Sequence, residues 1–232
     1  IVRARWAAKI LSVAPFIKLI AVCNTLSFGA ASPQSDVDFF IVAQSGRLWM
    51  ARFCSVLILS LFGLRRHGKK VANRICLSFF LADDNLNLES VALKNPSDIY
   101  LVYWIAQLVP LVNRNQTLEK FWQANSWTKQ YLPNFQFENQ LPDNHQIKVY
   151  PVLETWRQFC EYITNGFLGD LKENFLRFIQ LRKMSKNLKS RQFEGGTAVV
   201  INDKMLKFHE EDRREYYKNK WLEKIKELGI MN

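Results

Sequence analysis

Asn24-Thr25-Leu26-Ser27-Phe28-Gly29-Ala30-Ala31-Ser32-Pro33-Gln34-Ser35-Asp36-Val37-Asp38, running on into Phe39-Phe40-Ile41-Val42, is the stretch on which the reading of this chain turns. The apolar, β-branched run Ile17–Cys23 before it reads as a strand, and Val37–Val42 reads as a second. Between them lies a loop of small and hydroxylated residues. Side chains two apart on a strand share a face, so Asp36 and Asp38 point the same way while Val37 points into the core. Two adjacent carboxylates repel unless a cation or hydrogen-bond donors neutralise them. A hard divalent cation such as Mg²⁺ takes one or two carboxylates together with substrate phosphates. The loop can bring backbone N–H groups and the Thr25 hydroxyl close to a phosphate. Strand, small-residue loop, and a strand carrying two acids form a layout suited to metal-assisted phosphoryl or nucleotidyl transfer.

Working outward, the chain opens with an amphipathic helix over residues 2–13 that Pro15 ends. Beyond the second strand, Gly46 punctuates the pattern. An apolar helix is predicted over 47–64, and a third strand over 74–81. Its apolar run is too short for a bilayer, which needs about 20 residues, so a buried helix is expected and no integral membrane association. The first part is therefore an α/β arrangement. After Pro96, helical spacing of Leu, Phe, Trp and Ile predicts helices over 97–111, 117–131 and 152–184. A loop is expected over 133–151, a short β segment over 197–202 and a charged helix over 209–228. Two domains follow from this pattern: 1–95 with the acid pair, and a mainly helical 96–232.

Of the 232 residues, 48% are hydrophobic and 13% aromatic, which excludes a largely disordered chain. The formal charge of +11 favours polyanionic partners: nucleotide, nucleic acid or an anionic membrane face. Seven basic residues and no acid lie from Arg47 to Arg74, and a second basic run goes from Arg177 to Arg191. Either is a solvated face or the border of a phosphate-binding site. Cys23, Cys54, Cys76 and Cys160 are scattered without a Cys-x-x-Cys pair. They read as small core residues of a reducing, cytoplasmic compartment rather than as disulfides or a zinc site. The chain begins at Ile1 rather than Met, which points to a fragment or a processed start.

The stretch 24–38 resembles the signature of the DNA polymerase beta-like nucleotidyltransferase superfamily: Gly-Ser, a small residue, a second Gly, then Ser-Asp-x-Asp. Thr25 stands for the Ser, Ser27 for the small residue and Gly29 for the second Gly, and Ser35-Asp36-Val37-Asp38 fits the acidic part in full. The likeness is closest to minimal and antibiotic-modifying nucleotidyltransferase-like proteins, and its specific portion covers about residues 17–43. It implies an α+β fold with a mixed sheet, flanking helices and a helical C-terminal part. It also implies transfer of an NMP group from an NTP to an acceptor, with Mg²⁺ or Mn²⁺ as cofactor. Asp36 and Asp38 would be the catalytic metal ligands, and Asn24, Thr25 and Ser35 the nucleotide-binding residues. The acceptor (small molecule, protein or RNA) stays open.

Two departures accompany the resemblance. Asn24 replaces the first Gly; Asn tolerates a left-handed backbone better than most residues. The family also places a third carboxylate on a neighbouring strand, yet Ile75–Leu81 contains no acid. Its alternation in Cys76, Ser78 and Phe80 offers none either, and Asp83 and Asp84 follow at its end. An acid from elsewhere (Asp98 is one candidate) completes the site, or two carboxylates suffice, or the chain is a catalytically inactive nucleotide- or RNA-binding protein of the same fold. Lys207, His209 and Arg213 either reach over the site or belong to a helix start rich in Glu210, Glu211 and Asp212. Tyr103, Trp104, Trp122 and Trp127 read as core rather than as a base-stacking platform. A third reading is a membrane-surface or partner-binding protein built on the apolar helix 47–64 and its basic ends.

Overall fold

A computed structural model describes residues 1–94, 98–135, 145–188 and 190–229. The fold is α+β, with six strands in one mixed sheet and seven α-helices among the described residues. The strands are β1 (Ile17–Val22), β2 (Val37–Ala43), β3 (Ile75–Ala82), β4 (Val109–Asn113), β5 (Val199–Ile201) and β6 (Met205–Phe208). Their order across the sheet is β4-β1-β2-β3-β6-β5. The helices are α1 (Val2–Leu11), α2 (Leu48–Leu61), α3 (Ile99–Ala106), α4 (Thr117–Ala124), α5 (Pro151–Ile163), α6 (Gly166–Met184) and α7 (Arg214–Glu227).

β2 and β3 pair in parallel, whereas the other neighbouring strands pair antiparallel. A parallel pair needs a crossover, and α2 supplies it. The central strands are continuous apolar runs because helices cover both faces. One layer takes Ile17, Ile20, Phe39 and Ile41 against α1 and α2. The other takes Leu19, Phe40, Val42 and Phe79 against α3 and α4. There Phe40, Phe79, Trp104 and Phe121 pack with ring centroids 5.1 to 5.5 Å apart, mostly edge-on or tilted, as ring quadrupoles favour. Trp104 and Trp122 are buried core residues as expected, while Tyr103 is exposed.

The later part of the chain departs from the helical pattern. The helix expected over 97–111 stops at Ala106, and Val109–Asn113 becomes β4. Pro110 has no N–H to donate, a loss that an edge strand tolerates. The charged helix begins at Arg214 rather than near 209, because Met205–Phe208 forms β6. A tight turn creates that hairpin: Asn202 Oδ1 accepts from the N–H groups of Lys204 and Met205. The expected division near residue 95 therefore cuts across one sheet, since β4, β5 and β6 join strands from the first part. Pro96 and Ser97 fall outside the described residues.

The helix predicted over 152–184 is two helices. Gly169 lets the first turn of α6 pass close to the end of α5, for a Cβ there would sit 1.9 Å from the Thr164 carbonyl oxygen. The outer faces of α5 and α6 expose Trp156, Phe159, Phe167, Leu171, Phe175 and Phe178. Likewise, α2 is buried on one side only and leaves Phe53, Leu57 and Leu61 exposed, which corrects the expectation of a fully buried helix. Among the described residues, no helix is long and apolar enough to cross a membrane.

No side chain of its own caps α2. Instead the buried Glu173 of α6 accepts from the N–H groups of Trp49 and Met50, each at 2.8 Å. A carboxylate there satisfies two orphan donors and the positive end of the helix dipole. Gln180 of α6 adds a bond from Nε2 to the Trp49 carbonyl at 2.9 Å. Glu173→Ala is expected to lose about 2–4 kcal/mol of stability, the usual scale for removing two charge-assisted bonds, read as a lower denaturation midpoint.

Candidate metal centre and the cavity around it

Asp38 is the second residue of β2 and is half-buried, whereas its neighbours Val37 and Phe39 face the core. Asp36 immediately precedes the strand. Parallel register sets Cys76 of β3 directly beside Asp38. One ligand atom from each of Asp36, Asp38 and Cys76 lies within 4.8 Å of the other two, and this is the one such cluster of three among the described residues. Arg66, from the chain leading into β3, donates to Asp36 Oδ2 at 2.6 Å and reaches Cys76 Sγ at 3.9 Å.

The register then slips. Phe39 faces two residues of β3, Leu77 and Ser78, so Phe40 pairs with Phe79. Such a bulge re-aims side chains next to it. It breaks the alternation expected through Cys76, Ser78 and Phe80: Phe79 and Leu81 take the face of Phe40, and Phe80 turns to the opposite layer. Cys76 and Ser78 stay on the cavity side. Ser78 is 7% exposed, and its Oγ has no hydrogen-bond partner.

A cavity of about 430 Å³ opens here, lined by Asn24, Asp38, Arg66, Cys76, Ser78 and Tyr100 from one side. The segment from Phe208 to Arg214 closes the other. A second cavity of about 380 Å³ shares Arg66, Cys76, Ser78 and Phe208 with it, but is lined further by Arg52, Arg65 and His67. One lobe therefore carries carboxylates and the other only cationic or neutral groups.

Burial raises the Asp38 pKa, and repulsion from Asp36 adds to it; the Asn24 amide, Cys76 and Arg66 oppose the rise. Burial first, and then the two aspartates, push the Cys76 thiol up to about 12. Negative charge is thus held uneasily at this point, with Arg66 as its nearest compensation. Burial, reinforced by Lys207 and Arg214, drives His209 down to about 3, so its imidazole is neutral at pH 7.

The sequence-derived residues divide. Asn24 has a left-handed φ of 57°, a conformation Asn tolerates better than most residues, and its Oδ1 accepts from Tyr100 Oη at 3.3 Å. Thr25 is exposed in a short 3-10 turn, and Ser35 bonds back to Ser32; neither lines the cavity. His209 and Arg213 line it, whereas Lys207 is buried and donates to the Thr197 carbonyl. Asp98 is not a third acid of this site. Its carboxylate caps α3 through Leu101 N–H at 2.9 Å and pairs with buried Arg214 at 3.2 Å. Asp83 and Asp84 sit past the far end of β3, roughly 22–27 Å from Cys76 by strand rise. Sequence reasoning missed Cys76, Ser78 and Arg66. Two polar residues at the start of an otherwise apolar strand were the available signal.

No family model, no curated protein and no solved structure matches this chain.

Burial, and then the nearby Arg214, depress Lys207 to about 7. Its folded value thus lies below that of an unfolded lysine. Between the two values the unfolded chain binds more protons, so stability rises with pH from about 7 toward 10. Lys207→Met should remove up to about 1.4 kcal/mol per pH unit of that slope, measured by denaturant titration at several pH values.

Proposed function

We propose that this chain is a metal-dependent nucleotidyltransferase, moving an NMP group from an NTP to an acceptor with release of pyrophosphate. The observation that carries the reading is the convergence of Asp36, Asp38 and Cys76, with Cys76 on the wall shared by an acid-bearing cavity and an arginine-lined one. The donor set fits a divalent cation: two carboxylates converge, one with a raised pKa, beside a buried hydroxyl that lacks a partner. Asp36 and Asp38 would hold Mg²⁺ or Mn²⁺, which supplies charge neutralisation at the reacting phosphate and orients it.

The remaining roles belong to the chain itself. Arg66 stands at the junction of both lobes and can pair with phosphate once Asp36 is otherwise neutralised. Arg52 and Arg65 line the second lobe, and the buried Arg52 Nε has no acceptor of its own. These groups suit the anionic end of a nucleotide. The Asn24 amide favours the ionised Asp38 carboxylate, and Tyr100 Oη donates to Asn24 Oδ1 in turn. Neutral His209 and the flanking Arg213 border the same cavity, in position to meet the nucleoside or the acceptor. Both cavities fall in the size range of small-molecule sites.

Asp38→Asn should lower NTP consumption at least a hundredfold, measured as pyrophosphate release with Mg²⁺ or Mn²⁺ present, while leaving the fold intact. Equal consumption by both proteins would sink the proposal. A second reading, a nucleotide- or RNA-binding protein without turnover, is favoured by one observation: Arg66 already neutralises Asp36. Nucleotide that raises the melting midpoint equally with and without divalent ions, and is never consumed, would select that reading.

A further inference from the structure

We propose that Cys76 is a third protein ligand of the cation held by Asp36 and Asp38, so that this centre takes a thiophilic divalent ion of the cobalt, zinc or cadmium class in preference to Mg²⁺. The inference rests on the reading above that the carboxylates hold a cation, and it adds both the ligand and the selectivity.

Geometry argues for it first. Cys76 is the direct register partner of Asp38, and Sγ and the two carboxylates fall within 4.8 Å of one another. The remaining cysteines lie outside this cluster. A single cation already spans two of the three groups, since the Arg66 guanidinium contacts both Asp36 Oδ2 and Cys76 Sγ. The Arg66 side chain is 46% exposed, so it can withdraw toward solvent when a metal ion takes its place.

A second observation is independent of the cluster. The buried Ser78 hydroxyl lines both cavities beside Cys76 and has no partner. A buried donor without an acceptor is unfavourable. A water carried on the ion would supply the missing acceptor.

Ligand chemistry then sets the choice of ion. Mg²⁺ demands oxygen ligands, whereas thiolate donors favour softer ions, and affinity rises from Mn²⁺ through Co²⁺. Coordination replaces the S–H proton, which leaves to solvent.

The test is a titration of the metal-free protein with Cd²⁺ and with Co²⁺, followed by ultraviolet absorption and calorimetry. Wild type should develop a thiolate-to-metal charge-transfer band that saturates at one equivalent. Cys76→Ser should lose the band and bind Co²⁺ about tenfold or more weakly. Cys76→Asp should lose the band yet bind Mg²⁺ more tightly than wild type does. Metal binding that needs Asp36 and Asp38 but is equal in wild type and Cys76→Ser, with no band, overturns this inference and leaves the two-carboxylate centre standing. A band that survives Cys76→Ser comes from another cysteine and also overturns it. Absence of any divalent binding by wild type overturns both readings.

Discussion

The parallel pairing of β2 with β3 is the constraint on which the rest of this molecule depends. It forces a crossover, and α2 makes it by running over one face of the sheet. It also aligns the first residues of the two strands, so that Asp38 and Cys76 meet at one end of the sheet rather than at opposite ends. An antiparallel pairing would have placed the start of one strand beside the end of the other. The bulge immediately beyond this pair then separates two tasks within a single strand: polar Cys76 and Ser78 face the cavity, while Phe79 and Leu81 fill the aromatic layer.

Polar groups hold the later helices to this frame more than apolar contact does. Glu173 and Gln180 tie α6 to the first turn of α2. Arg214 binds Asp98, Asp212 and the Val91 carbonyl, and so brings the start of α7 against α3. A buried ion pair of this kind adds little net stability compared with an apolar pair, because both charges are desolvated. It does specify one arrangement, and that arrangement brings the segment 208–214 over the cavity. Meanwhile the outer stripes of α5 and α6 stay uncovered, so their helical periodicity is real although the face it marks is not core.

Electrostatically, the site is built from opposites set close together. The aspartates crowd negative charge at a point where burial already penalises it, and together with burial they keep the Cys76 thiol neutral. Arg52, Arg65 and Arg66 stand on the other side of that point. Such a junction is suited to a ligand that is itself an anion carrying a cation.

Much of this was legible in the residues. The alternation through Asp36, Val37 and Asp38, the apolar runs on either side and the left-handed tolerance of Asn24 specified two strands, the loop between them and an acid pair on one face. Local chemistry suffices there because strand periodicity and turn preference act over a few residues. Three things lay beyond it. Pairing across the sheet brought Cys76 to Asp38, a relation between residues far apart in sequence. The bulge shifted the phase of β3 within its own run. Strand β4, whose first residues were read as the end of a helix, and strand β6, which lay between the expected β segment and the charged helix, were decided by the open edges of the sheet they complete. A short apolar segment satisfies its backbone hydrogen bonds equally well in a helix or beside a strand, and which it does depends on what tertiary structure has placed next to it.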